Sequence, residues 1–140
     1  MAKAKSEALL ATIPLFEGLS KKQLKQIANT SEVVDYMAGH SIVREGEIGD
    51  SFFVVLHGQA KVSTGGKTVN RIMPGDHFGE ISLLDGGPRT ATVISETPMT
   101  MLLLSRKAFL KNVGHDSEMA LALMKTMARM IRRVDRSLSR

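Results

Sequence analysis

Glu80 and Arg89 stand nine residues apart in the stretch Phe78-Gly79-Glu80-Ile81-Ser82-Leu83-Leu84-Asp85-Gly86-Gly87-Pro88-Arg89-Thr90-Ala91-Thr92-Val93. The arginine offers two parallel N–H donors that fit two oxygens of a phosphate, and it keeps its charge. Glu80 repels phosphate. Its natural partner is a hydroxyl group, whose proton a carboxylate accepts strongly. An anion and a hydroxyl held close together describe a ribose phosphate.

Local elements must hold these two side chains. Leu83-Leu84 can anchor about one and a half turns of helix on a core. Asp85-Gly86-Gly87-Pro88 must end that helix, because glycine permits a left-handed exit and proline cannot continue the ladder. Ala91-Thr92-Val93-Ile94 reads as a strand, β-branched and alternating. Gly79 lets a ligand approach the backbone closely. The N–H groups of Ile81, Ser82 and Leu83 are expected to point from the helix start toward an anion.

This stretch resembles the phosphate-binding cassette of the cyclic nucleotide-binding domain family. The family pattern is an apolar residue, Gly-Glu, a small residue two further on, then Arg-small-Ala before a strand. Phe78, Gly79, Glu80, Ser82, Leu83, Arg89, Thr90, Ala91 and Val93 fill it. A second family pattern lies upstream, in Ile42-Val43-Arg44-Glu45-Gly46-Glu47-Ile48-Gly49-Asp50-Ser51-Phe52-Phe53-Val54-Val55-Leu56-His57-Gly58. The regulatory domains of catabolite activator proteins, cyclic-nucleotide-dependent kinases and cyclic-nucleotide-gated channels are similar.

The resemblance implies a ligand sensor without catalysis. Gly79, Glu80, Ile81, Ser82, Leu83, Arg89, Thr90 and Ala91 would bind the ligand, with Glu80 on the ribose 2′-hydroxyl and Arg89 on the cyclic phosphate. Leu83 equally suits a core position. Thr90 is compatible with cyclic GMP, whose guanine carries an amino donor, yet similar members with a hydroxyl here bind cyclic AMP, and the reading leans to cyclic AMP. Val54, Val69, Ile72, Phe78 and Val93 are candidates for the wall around ribose and base, although alternating strand residues are more often plain core. Much of the family covers the base with an aromatic or arginine near the last helix. This chain has no Trp and one Tyr, Tyr36. The cover therefore falls to Met127, Met130, Arg129, Arg132 or Arg133; arginine stacks on a purine.

Composition sets the frame. The 140 residues suit one domain with a core of its own. No apolar run approaches the roughly 18 residues of a membrane span, and no signal peptide is read at the start. The absence of cysteine excludes disulfides and thiolate metal sites. A cytoplasmic address is expected. Net charge is +5, and Lys125, Arg129, Arg132, Arg133, Arg136 and Arg140 crowd the end. That tail reads first as a solvated helix face and second as a contact for nucleic acid, an acidic partner or a lipid surface. His40, His57, His77 and His115 are scattered, so no metal site is expected. Gly66-Lys67-Thr68 looks like the end of a P-loop, but Lys61 stands where that loop needs glycine, and a hairpin turn is the better reading.

The expected fold is mainly β with flanking α. Residues 1–30 form an N-terminal helical element, with a helix over Ser6–Thr12, the bend Ile13–Leu19, and a helix from Lys21 capped by Ser20 with Gln23 in a capping box. Residues 31–104 form an eight-stranded jelly-roll-like β-roll, its short strands separated by glycine turns, with the cassette at 78–93. Residues 105–140 form two C-terminal helices, the hinge and the lid. The last has an apolar stripe of Ala120, Leu123, Met124, Met127, Met130, Ile131, Val134 and Leu138. The stripe must fold back over the roll or pair with a second copy. The alternative reading is a DNA-associated module, or one that regulates a channel or enzyme, with its effector on another chain or further along. Sequence-specific DNA reading is not expected, since no helix-turn-helix follows Leu138.

Overall fold

The computed structural model describes residues 2–138. The order is α1 (Ala2–Ala11), a 3-10 turn (Pro14–Phe16), α2 (Lys21–Thr30), then β1 (Glu32–Tyr36), β2 (Ser41–Val43), β3 (Ser51–His57), β4 (Ala60–Thr64), β5 (Lys67–Ile72) and β6 (His77–Phe78). The cassette helix α3 (Glu80–Asp85), β7 (Thr92–Ser95), β8 (Met99–Ser105), α4 (Arg106–Gly114) and α5 (Ser117–Leu138) complete it. The chain divides into two compact units, Thr30–Phe109 and the two ends taken together.

The first unit is the roll. Its strands form two antiparallel four-stranded sheets, β1-β8-β3-β6 and β2-β7-β4-β5. Alternation explains the core between them: Phe53 and Val55 of β3, Val43, Ala60, Ile72, Val93, Met99 and Met101 pack into one cluster. Strand β3 is buried on both faces from Ser51 to Val55, which is why its sequence is a continuous apolar run and not an alternation. A bulge interrupts the β4–β5 ladder between Val62 and Ser63. Val62 pairs with Asn70 and Ser63 with Thr68, leaving Val69 as the extra residue.

In the second unit, Leu10, Ile13, Phe16 and Ile27 are fully buried. The capping box forms as read from the sequence: Gln23 N–H donates to Ser20 Oγ at 3.2 Å, and Ser20 N–H to Gln23 Oε1 at 2.9 Å. Asp116 caps α5, accepting from Met119 N–H at 3.0 Å. The face that α5 buries is Met119, Leu123 and Thr126, rotated from the expected stripe. Met124, Ile131, Val134 and Leu138 are all more than half exposed. The rotation has a local cause. Gly18 lies so close to α5 that a Cβ there would sit 2.7 Å from Thr126 Oγ1, and Glu17 holds Arg133 at 3.6 Å and Arg129 at 4.0 Å.

Candidate functional site

The cassette is built as its sequence requires. Gly79 enters α3 at φ 96° and Gly86 leaves it at φ 67°, both left-handed conformations that favour glycine. The Gly86 N–H donates to Ser82 O at 2.8 Å, closing the single turn and a half. Leu83 is fully buried and fixes the helix to the roll. Its N–H is already donated to Gly79 O at 3.0 Å. Leu83 is thus placed in the core, the alternative its sequence also suited, and does not line the cavity with the other expected binding residues. The donors left at the helix start are those of Ile81 and Ser82, since the Glu80 N–H is engaged by its own carboxylate.

The upstream motif proves to be the other half of the same site. Arg89 N–H donates to Glu47 O at 2.8 Å, Gly46 N–H to Arg89 O at 2.9 Å, and Gly49 N–H to Gly87 O at 3.0 Å. These bonds zip the loop after β2 onto the loop after α3 and bury the Arg89 side chain to 8% exposure. Its Nη1 donates to Ser51 O at 2.7 Å and Nη2 to Ser51 Oγ at 3.1 Å. Two glycines make room: a Cβ on Gly49 would lie 2.5 Å from Arg89 Nε, and one on Gly79 would lie 2.9 Å from Nη1. Burial pulls the Arg89 pKa down, and nearby Asp50 pushes it back up. The group still stays charged. Among the described residues no carboxylate pairs with it directly. A buried guanidinium with donors to spare and only neutral partners is suited to an incoming anion.

Arg89, Glu80 and the cassette backbone face one cavity of about 240 Å³. Of the residues expected to bind ligand, Gly79, Glu80, Ile81, Ser82, Arg89, Thr90 and Ala91 line it, and so do the expected wall residues Ile72, Phe78 and Val93. Phe78 stacks on Phe53 with ring centres 4.8 Å apart. Two wall candidates do not belong. Val69 is 61% exposed, because it is the bulge residue on the outer face of β5. Val54 is buried on the face of β3 opposite Phe53. Met127, Met130, Arg132 and Arg133 lie on α5 in the other unit, where the two methionines are half-buried and the two arginines exposed.

Four lining residues were not anticipated: Val43, Val62, Asn70 and His77. Asn70 was within reach of the pattern, since it shares the inward phase of Ile72 two residues on. His77 is the most consequential. Its Nδ1 lies 2.7 Å from Glu80 Oε2. Burial would push the Glu80 carboxyl up, but the His77 contact, its own backbone N–H and the His77 charge outweigh it and hold it below the usual range. Glu80 is therefore ionised, as a hydroxyl acceptor must be.

Arg106, the first residue of α4, joins the cassette from its other end. Its Nη2 donates to Leu84 O at 3.1 Å, and its N–H to Asp50 O at 2.7 Å. Among the described residues, no group of three or more His, Cys, Asp or Glu is placed to hold a metal ion. Among them too, no helix is long and apolar enough to cross a membrane.

An antiparallel roll carrying this cassette defines a class of nucleotide-sensing modules, and comparison with known proteins agrees. The model of the cyclic nucleotide-binding domain family matches residues 33–116, and the chain belongs to that family. A relative, the cAMP-dependent protein kinase regulatory subunit of Schizosaccharomyces pombe, is 33% identical over 124 residues, covering 88% of this chain and 29% of the relative. The N-terminal domain of a transcriptional regulator from Streptomyces coelicolor superposes with a TM-score of 0.84 at 29% identity, covering 93% of this chain and 94% of that one. A structure described as cAMP-bound PfPKA-R superposes at 0.72 with 25% identity, covering 99% and 46%. The chain spans between 11% and 62% of the length of the curated relatives it matches.

Proposed function

We propose that this chain is a non-catalytic sensor that binds cyclic AMP in preference to cyclic GMP and moves its C-terminal helices when it does. One observation carries the reading: a buried arginine without a carboxylate partner and an ionised glutamate face a single cavity across a helix start. The cyclic phosphate docks on Arg89 and the N–H groups of the cassette, and Glu80 accepts the ribose 2′-hydroxyl. Ile72, Phe78, Val93 and Ala91 supply the apolar wall. The cyclic AMP preference rests on the cAMP-bound neighbour; Thr90 lines the cavity and its hydroxyl suits either purine.

The cavity is smaller than the roughly 300–1,000 Å³ of most small-molecule sites, so part of the purine stands out of the roll and needs a cover. Met127, Met130, Arg132 and Arg133 of α5 are the candidates. The Arg106–Leu84 bond supports the movement, because a shift of α3 pulls on the first residue of α4. Ligand drives that shift only through its preference for the closed form. The effector is another chain or another part of a longer one, and a cytoplasmic address belongs to the same reading.

A second feature supports pairing of two copies. The exposed Met124, Ile131 and Leu138 recur every seven residues, with Met127 and Val134 between them, the spacing of a coiled-coil seam. Calorimetric titration with cyclic AMP, cyclic GMP and linear 5′-AMP, beside a solution mass measurement, tests the whole reading. Micromolar or tighter binding of cyclic AMP, weaker cyclic GMP and little 5′-AMP is expected. Equal affinity for the linear nucleotide contradicts it.

A further inference from the structure

Among the described residues, His77 is the one titratable side chain lining the cavity besides Glu80 and Arg89. The β6 register pins its backbone opposite Val54. Its ring lies 5.8 Å from that of Phe52 on β3. Nδ1 is buried, touches Glu80 Oε2 at 2.7 Å and has no acceptor in line with its N–H. The charged groups facing it are Glu80 from α3 and Asp76 from the turn before β6, with Arg89 across the cavity. A carboxylate has two oxygens. His77 engages Oε2, which leaves Oε1 for a ligand.

Building on the cyclic nucleotide reading, we infer that His77 is a positioning residue for Glu80: its protonated ring holds the carboxylate still for the ligand's 2′-hydroxyl and offsets its negative charge against the incoming phosphate. Two consequences follow from linkage. An anion bound in this cavity favours imidazolium, so binding takes up a proton when His77 is neutral in the free protein. Affinity therefore rises as pH falls through the titration of His77. The Glu80 contact raises the His77 pKa against the opposing pull of burial, with Glu80 and Asp76 charges adding to the rise.

The experiment is calorimetry of the protein with cyclic AMP from pH 5.5 to 8.5, in two buffers of different ionisation enthalpy, for the wild type and His77→Gln. Glutamine keeps a neutral donor near Glu80 and cannot titrate. The wild type is expected to bind about tenfold more tightly at the acid end, the equivalent of one pKa unit of His77 shift on binding, with net proton uptake between. His77→Gln is expected to bind at near the alkaline affinity with no slope and no uptake. Cyclic AMP binding with a flat wild-type profile overturns the role of His77 and leaves the nucleotide reading standing. A slope that survives His77→Gln does the same, since it then belongs to another group. No binding of either cyclic nucleotide at any pH removes both.

Discussion

In the proposed reading Arg89 and Glu80, which line one cavity, divide the recognition of the ligand between a fork of donors and an acceptor, and each has its own test. Lysine at position 89 keeps the charge and loses the paired geometry. Arg89→Lys is expected to weaken cyclic AMP binding by about 1.5–3 kcal/mol in a titration; an unchanged Kd would contradict the assignment. Glu80→Gln and 2′-deoxy cyclic AMP remove the two sides of one contact. Each alone is expected to cost about 1–3 kcal/mol, and together little more than either, which a double-mutant cycle measures. Gly49→Ala puts a methyl group 2.5 Å from Arg89 Nε and from Ser82 Oγ, so about 1–3 kcal/mol of overpacking is expected, with a matching fall in affinity. The His77–Glu80 pair also ties folding to pH. A raised histidine contributes stability that is present below its ordinary value near 6.5 and lost as pH rises through the folded value. The lowered Glu80 contributes above about 4.5 and loses it as pH falls through its own folded value. Urea unfolding should therefore show the wild type losing more stability than His77→Gln between pH 5.5 and 8.5. Glu80 and Arg89 were singled out chiefly by the resemblance to the cassette, and the fold brings both to one cavity. The pairing of Glu80 with His77 was not, because a lone histidine ahead of a glycine carries no periodic signal.

Elements explain which of the remaining residues sequence pattern could place. The cassette helix was readable from both ends, since a left-handed exit at Gly86 and the stop before Pro88 leave room for one turn and a half. What the pattern could not show is that Leu83 spends its N–H on Gly79. In β5, Val69 stands in the opposite phase to Asn70 and Ile72 and is the extra residue of the bulge, so two wall candidates on one short strand could not share a face. In α5 the apolar stripe was real, and its inner edge was misplaced. Met119 and Thr126 enter the core beside Leu123 because Gly18 and Glu17 seat that edge of the helix. Leu123→Ala is expected to cost about 2–4 kcal/mol in thermal or urea unfolding. Ile131→Asp lies on the exposed edge and is expected to leave folding intact while halving the solution mass, measured by sedimentation. A mass already that of one chain in the wild type would remove the pairing of α5 helices.

For the molecule as a whole, glycine punctuation and strand phase made the eight-stranded roll legible, and the two sheets follow it. The upstream motif was recognised as a separate pattern, and only the fold shows it clasping Arg89 through Glu47 and Gly46, with Gly49 bonded to Gly87 beside it. Long-range bonds of that kind leave no mark in local sequence. They give the proposed sensor a physical route: Arg89 is held by a loop more than forty residues upstream, and Leu84 of α3 is bonded to Arg106 at the start of α4. The most direct measurement is a crystal structure of the complex with cyclic AMP. The account predicts phosphate oxygens about 2.7–2.9 Å from the Arg89 guanidinium and the 2′-hydroxyl on Glu80. A nucleotide bound elsewhere, with Arg89 still turned wholly onto Ser51, would contradict it.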